Sequence, residues 1–330
     1  MADVTQRSEI LFLYDATDSN PNGDPLDENK PRIDEETNRN VVTDVRLKRT
    51  VRDYLAEKPG VEIFVRAERK DDGYLKTKED RLESFGSSAE ELLKRCVDLR
   101  LFGATIAIKK DPKTKKERRI TLTGPVQFKM GRSLHRVNLT FIKGTTVMPS
   151  GEGHGQGTFT EEYRLPYSLI AFYGIVNENA ARLNRQVALS EEIKLSEEDV
   201  DLLLEGLWQG TANLISRSKF GQRPRLLLRV RYRQGYQGYI GELDHRVRHE
   251  LVGVERDEAL RDVGQLRVDV TDLLDALGRA AGQIETVAVR WDPRLELAAH
   301  REPVSDLVGA LRVFLPEASI EELQFGGNAP

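Results

Sequence analysis

The sequence predicts an α+β sandwich on three observations: its elements run strand, helix, strands, helix, strand; a strongly periodic helix lies near the middle; and the tail alternates helix and strand. A chain of 330 residues is long enough for one large domain with insertions. Charged residues at 32% and apolar residues at 39% place it among folded globular proteins with a heavily solvated surface.

Each element has its own signal. Glu9 to Asp15 is a short continuous apolar run, which reads as a buried first strand. Asn20-Pro21-Asn22-Gly23-Asp24-Pro25 then opens a polar loop running through Asn38-Arg39-Asn40, and loops of that length inside a domain are usually functional. Thr43 or Asp44 can cap a helix whose apolar face is Leu47, Val51, Tyr54 and Leu55, with Arg46, Lys48, Arg49 and Arg52 on the other face. Val61 to Arg66 reads as a strand and Ser88 to about Val97 as a helix. Around it, Leu92, Leu93 and Leu99 bury Cys96, whose solitude rules out an intrachain disulfide. Lys109 to Arg119 holds seven basic residues against two acidic ones around an Asp-Pro turn, as a hairpin tip or basic loop would.

Alternating stretches follow at Ile120 to Lys129 and Leu134 to Ile142. Lys143 to Thr160 is a second turn-rich excursion, containing Met148-Pro149 and the glycine-rich run from Gly151 to Gly157, and it predicts a protruding hairpin. After a strand at Tyr163 to Val176 comes the periodic helix. Ser196 caps it with Asp199 at the capping-box position, and its face is Val200, Leu203, Leu204, Leu207, Trp208, Thr211, Leu214 and Ile215. A strand at Leu226 to Tyr232 is followed by a helix at Leu273 to Ala281, a strand at Ile284 to Trp291 and a helix at Val304 to Leu315.

The net charge of −4 argues against a nucleic-acid partner, but the distribution argues for one. Seven basic residues, Arg217, Lys219, Arg223, Arg225, Arg229, Arg231 and Arg233, occupy Ser216 to Arg233 without a single acid. Alternation along the strand puts Arg225, Arg229, Arg231 and Arg233 on one face, where arginines offer bidentate phosphate contacts. The competing reading is a strand face whose charges are paired by acids from elsewhere.

Other chemistry is poorly supported. The Gly151 to Gly157 run lacks the Gly-Lys-Ser/Thr ending of a phosphate loop, and no nucleophile elbow or catalytic cysteine signature is present. His245 and His249 can share a helix face but have no third ligand beside them, so no metal or other cofactor is predicted. Asp24, Asp27 and Asp34 are acids suited to Mg²⁺, although Asp beside Pro and Gly is ordinary turn chemistry. No apolar run reaches the roughly eighteen residues a bilayer needs, and the start has no apolar signal core, which predicts a cytoplasmic protein.

Several segments together resemble the CRISPR-associated Cas-seven backbone subunits, closest to the type I-B and I-C forms. They are Asn20 to Pro25 after an apolar strand, Asn38 to Arg49, Asp98-Leu99-Arg100-Leu101-Phe102-Gly103, Thr123-Gly124-Pro125-Val126-Gln127-Phe128 and Ser216-Arg217-Ser218-Lys219-Phe220-Gly221. The resemblance covers roughly the first 235 residues. It implies an RNA-recognition-motif-like (ferredoxin-like) palm spanning 1–330, with fingers inserted at about 57–125, a thumb hairpin at about 143–160 and a C-terminal α/β part at about 241–330 completing the palm.

By the same resemblance the protein is a non-catalytic subunit that polymerises along CRISPR RNA in a Cascade complex and presents it to target DNA. Its further partners would be copies of itself, a 5′-handle-binding subunit, a large subunit and small subunits. Thr43, Arg46, Lys48, Arg49 and Arg52, together with Arg217, Lys219, Arg223 and Arg225, fall on the RNA-facing side. Met148, His154 and Phe159 belong to the thumb, where an apolar residue such as Met148 would wedge against a displaced base. The alternative is metal-dependent RNA cleavage by Asp24, Asp27 or Asp34, as in related type III complexes.

Overall fold

The computed structural model describes residues 2–108, 118–145, 159–183 and 190–326. The first strand, β1 (Ser8–Ser19), leads into a loop with four short strands: β2 (Gly23–Asp24), β3 (Lys30–Pro31), β4 (Ile33–Asp34) and β5 (Arg39–Val42). Helix α1 (Asp44–Ala56) follows, then α2 (Lys78–Glu83), α3 (Ala89–Arg95) and α4 (Val97–Phe102). Next are β6 (Gly103–Ile108), β7 (Arg118–Thr123), β8 (Val126–Phe128), β9 (Gly131–Arg136), β10 (Thr140–Thr145) and β11 (Phe159–Val176). Helix α5 (Glu197–Ala212) precedes β12 (Gln222–Tyr232). The remainder comprises β13 (Arg248–Leu251), β14 (Leu266–Asp269), α6 (Thr271–Arg279), β15 (Ile284–Trp291), β16 (Glu296–Ala299), β17 (Glu302–Val304), α7 (Leu307–Phe314) and β18 (Ser319–Glu322).

The fold is mixed α/β, built on one large sheet in the order β18-β15-β12-β1-β11-β9-β5-β4, with β8 and β10 also paired to β11. Strand β1 is central, antiparallel to β11 on one side and β12 on the other. Its even residues Ile10, Phe12, Tyr14 and Ala16 pack with Leu47, Val51 and Leu55 of α1 and with Val200, Leu203 and Leu207 of α5. Its odd residues Leu11 and Leu13 pack on the opposite face, against Leu243, Leu266, Val268, Leu273 and Leu311 of the C-terminal segment. Burial on both faces explains why the strand reads as an unbroken apolar run. Helices α1 and α5 approach closely where glycine permits: a Cβ on Gly206 would lie 2.9 Å from Val51, and one on Gly210 3.0 Å from the Thr50 carbonyl.

The caps stand where the sequence places them. The Thr43 hydroxyl accepts from the Arg46 amide, and Ser196 and Asp199 form the reciprocal capping box of α5. Helix α5 stops at Ala212, so Leu214 and Ile215 lie beyond it, and Ile215 is 87% exposed. Val61 to Arg66 is not a strand. The segment has only the isolated bridge Glu62–Cys96, and its amides at Phe64 and Val65 donate to the buried Asp98 carboxylate at 2.8 and 3.1 Å. The predicted helix of Ser88 to Val97 breaks at Cys96, a fully buried thiol, and resumes as α4. With Phe64, Leu82, Phe85, Leu92 and Ile106, Cys96 forms a third, smaller core. Strands β6 and β7 pair antiparallel on either side of the Lys109 to Arg119 segment, and β10 and β11 on either side of the glycine-rich one. Among the described residues no helix is long and apolar enough to cross a membrane.

Candidate nucleic-acid interface

Two loops meet at the C-terminal end of β1. The backbone of the first, entering after Ser19, bonds the second directly: the Asn20 amide donates to the Ser218 carbonyl at 2.8 Å and the Thr17 amide to the Gly221 carbonyl at 3.1 Å. Gly221 has φ +100°, and a Cβ there would stand 2.5 Å from the Thr17 carbonyl oxygen, so the approach requires glycine. Asn22 ties the first loop to α1, its side-chain oxygen accepting from both the amide and the hydroxyl of Thr43 at 2.8 and 2.9 Å. Thr43 therefore shapes the site as a cap, and Asn20 and Asn22, which sequence reasoning left out of the binding set, are its scaffold.

This framework brings Lys219 and Arg46 together. Lys219 is half-buried and its ammonium donates to the Asn20 carbonyl. No carboxylate among the described residues pairs with it, and burial, reinforced by the nearby Arg46 charge, lowers its pKa from 10.5 to about 8. The half-buried Arg46 guanidinium has no ion pair among the described residues either, and burial lowers its pKa too. Arg49, one turn further along α1, adds a repulsive charge to Arg46 while pairing with Asp53 at 2.6 Å. Asp53 offsets part of this, but burial dominates for both Lys219 and Arg46, which is unfavourable in the free protein and favours an anion. Arg223, exposed and with no ion pair among the described residues, stands at the start of β12. Exposed Arg217 pairs with Glu162 at 2.8 Å, and Lys48 with Asp44 and Gln127, each at 3.1 Å.

Two candidates are structural instead. Arg52 donates to Asp98 at 2.9 Å, the carboxylate that also holds the Phe64 and Val65 amides, and stacks over Phe102. Arg225 is buried. The pairing of β1 with β12 shifts register between Leu13 and Tyr14, and at this bulge the Arg225 guanidinium meets Asp15 at 2.7 Å and Asp292. The predicted face of free arginines is not found among the described residues either, although Arg233 itself is exposed. Arg229 is buried on Glu197 and Ser8, Arg231 bonds Thr286, and Arg233 pairs with Glu317.

The loop acids are separately occupied. Asp24 pairs with Arg32 at 2.7 Å and accepts from the Leu26 amide. Asp27 pairs with Lys30 at 2.7 Å. Asp34 accepts from the Thr37 and Glu36 amides and pairs with Arg132 at 2.8 Å, and the Thr37 amide first, then the arginine, lower its pKa. No cluster of three or more His, Cys, Asp or Glu side chains suited to a metal occurs among the described residues. His245 and His249 share no helix: the first lies in a 3₁₀ turn, the second in β13 on Asp257 at 2.8 Å. Met148 and His154 lie outside the described residues, and Phe159 begins β11.

Residues 6–271 match the family described as CRISPR-associated protein Cas7. A CRISPR-associated protein Cas7 of Haloferax volcanii is 38% identical over 317 residues, covering 88% of each chain. Among solved structures, a chain of a CRISPR RNA-guided surveillance complex, pre-nicking, superposes with a TM-score of 0.50 at 15% identity, over 94% of this chain and 100% of that one, a likeness of fold. With the match running from the start of β1 through both loops and into the C-terminal segment, the chain belongs to the Cas7 family.

Proposed function

We propose that the chain is the CRISPR RNA-binding backbone subunit of a type I-B-like Cascade surveillance complex, polymerising along the guide RNA and presenting it to target DNA. The observation that carries this reading is the Arg46–Lys219 pair, two half-buried neighbouring cations, neither with an ion pair among the described residues. A phosphate there would relieve the repulsion of both. Contacts of this kind hold the backbone and leave base edges free, as a guide that must pair with a target requires.

The strand order supports an RNA-recognition-motif-like palm. With α1 and α5 on one face, β1, α1, β9, β11, α5 and β12 follow the β-α-β-β-α-β order of ferredoxin-like folds. In this reading residues 57–125 are the fingers, 143–160 the thumb, and 241–330 complete the palm. Recognition-motif sheets stack bases on their open face, whereas here the C-terminal segment fills that face, which favours RNA held by loops at the sheet's end. The engagement of Asp24, Asp27 and Asp34 with their own cations and turn amides supports a non-catalytic role for them.

The decisive experiment expresses the chain with its CRISPR RNA. The unaltered protein is expected to co-purify with RNA, and the double variant Arg46→Glu/Lys219→Glu to lose it while keeping its Tm. RNA retained at full yield by the folded double variant would overturn the reading.

A further inference from the structure

Beside the cations that lack a carboxylate among the described residues, this site leaves two apolar side chains in solvent. Phe220, adjacent to Lys219, is 64% exposed, and Val45, adjacent to Arg46, is 67% exposed. The loop cannot turn the ring inward by a small adjustment, because its backbone is fastened. Both the Lys219 and Phe220 amides donate to the Ser216 carbonyl at 2.8 Å, Ser218 accepts from Asn20, and Gly221 is locked against Thr17. An aromatic ring thus stands in solvent on a rigid turn, beside a half-buried ammonium, in a segment without acids from Ser216 to Arg223. Proteins grip single strands with this combination, cations tracking the phosphates and rings receiving bases. Consecutive Cα atoms are about 3.8 Å apart, so Lys219 and Phe220 can reach the phosphate and base of one nucleotide together.

We infer that Phe220 is a stacking platform for one nucleobase of the strand whose phosphate sits at Arg46 and Lys219. The inference rests on the phosphate reading of that cation pair. A phenyl ring neither donates nor accepts a conventional hydrogen bond, so the platform takes any base, as a subunit that coats arbitrary guides requires. It would take purines more tightly than pyrimidines, in the order of their stacking area.

The test measures binding of the full chain to single-stranded oligoadenylate and to an abasic ribose–phosphate oligomer of the same length. Phe220→Ala is expected to bind oligoadenylate about tenfold more weakly and the abasic oligomer unchanged, with Phe220→Tyr restoring the first. Arg46→Glu/Lys219→Glu is expected to lose both. If Phe220→Ala binds oligoadenylate as the unaltered chain does, or weakens on both oligomers equally, the platform is overturned, while loss in the charge-reversed variant leaves the backbone reading standing. If the charge-reversed variant binds both oligomers normally, the phosphate site itself falls and the platform with it.

Discussion

The part from Arg217 to Arg223 and the part from Arg225 to Arg233 form one acid-free stretch in the sequence, yet their cations meet different fates. From Arg225 onward each arginine finds a polar partner: Asp15 and Asp292 for Arg225, Ser8 and Glu197 for Arg229, Thr286 for Arg231 and, just beyond β12, Glu317 for Arg233. Before them, Arg217 pairs with Glu162, whereas Lys219 in the loop and Arg223 at the exposed start of β12 find no carboxylate among the described residues. Composition is the same and architecture differs. A strand inside a sheet covered on both faces cannot leave a charge unpaired without a large penalty, whereas a loop at the sheet's end can hold one ready for a ligand.

The strongest way to break this contrast is to remove a strand cation. Arg225→Ala strands the buried Asp15 and is expected to cost about 3–5 kcal/mol in chemical denaturation, with the RNA affinity of the surviving folded protein unchanged. A stable Arg225→Ala protein that has lost RNA would show that the strand, too, serves the ligand.

The loop is probed more gently by pH. Lys219 has a folded pKa of about 8 against 10.5 for a free lysine. Below pH 8 it is charged in both states and folding carries the cost of burying it. Between about 8 and 10.5 the unfolded chain holds the extra proton, so the Lys219 contribution to stability rises with pH through that window. RNA binding runs the other way: at pH 9 the free protein has lost most of this charge, and affinity measured by fluorescence anisotropy is expected to fall about tenfold relative to pH 7. Lys219→Arg, which stays charged, should flatten the profile. An unaltered chain with a flat profile would remove Lys219 from the contact.

The smallest effects belong to the acids of the first loop. Asp24→Asn, Asp27→Asn and Asp34→Asn break surface pairs and turn bonds, and each is expected to keep Tm within about 2 °C; neither they nor the unaltered chain are expected to cut RNA in Mg²⁺. Cleavage by the unaltered chain that disappears in one of them would make the first loop, not the second, the seat of function.

What could be read in advance follows the same division between near and far. Thr43, Ser196 and Asp199 act within three residues of themselves, so the sequence displays both caps. The period of Leu47, Val51 and Leu55 shows which side of α1 is buried. Lys219 and Arg46 were both nameable from charge and resemblance, but their adjacency, 173 positions apart, was not. The acids that neutralise Arg225 and Arg229 lie at positions 15, 292 and 197, and no local pattern announces them. Val61 to Arg66 misleads because its β-branched residues favour a strand, while Asp98 and Arg52 hold the segment in an irregular path. The bulge that turns Arg225 towards Asp15 breaks the alternation on which the exposed-face reading depended.

The central place of β1 has a consequence for how the protein is made. It leaves the ribosome well before its two neighbours, residues 165–176 of β11 and 222–231 of β12. At about 5–20 residues per second, Ile10 to Tyr14 wait roughly 10–30 s before the nearer partner strand emerges. For that interval the chain carries an unpaired apolar segment with two open edges, the form most prone to join another nascent copy. Synthesis thus leaves the most adhesive strand exposed for seconds, and yield in the cell should depend on chaperone supply and translation rate as much as on final stability.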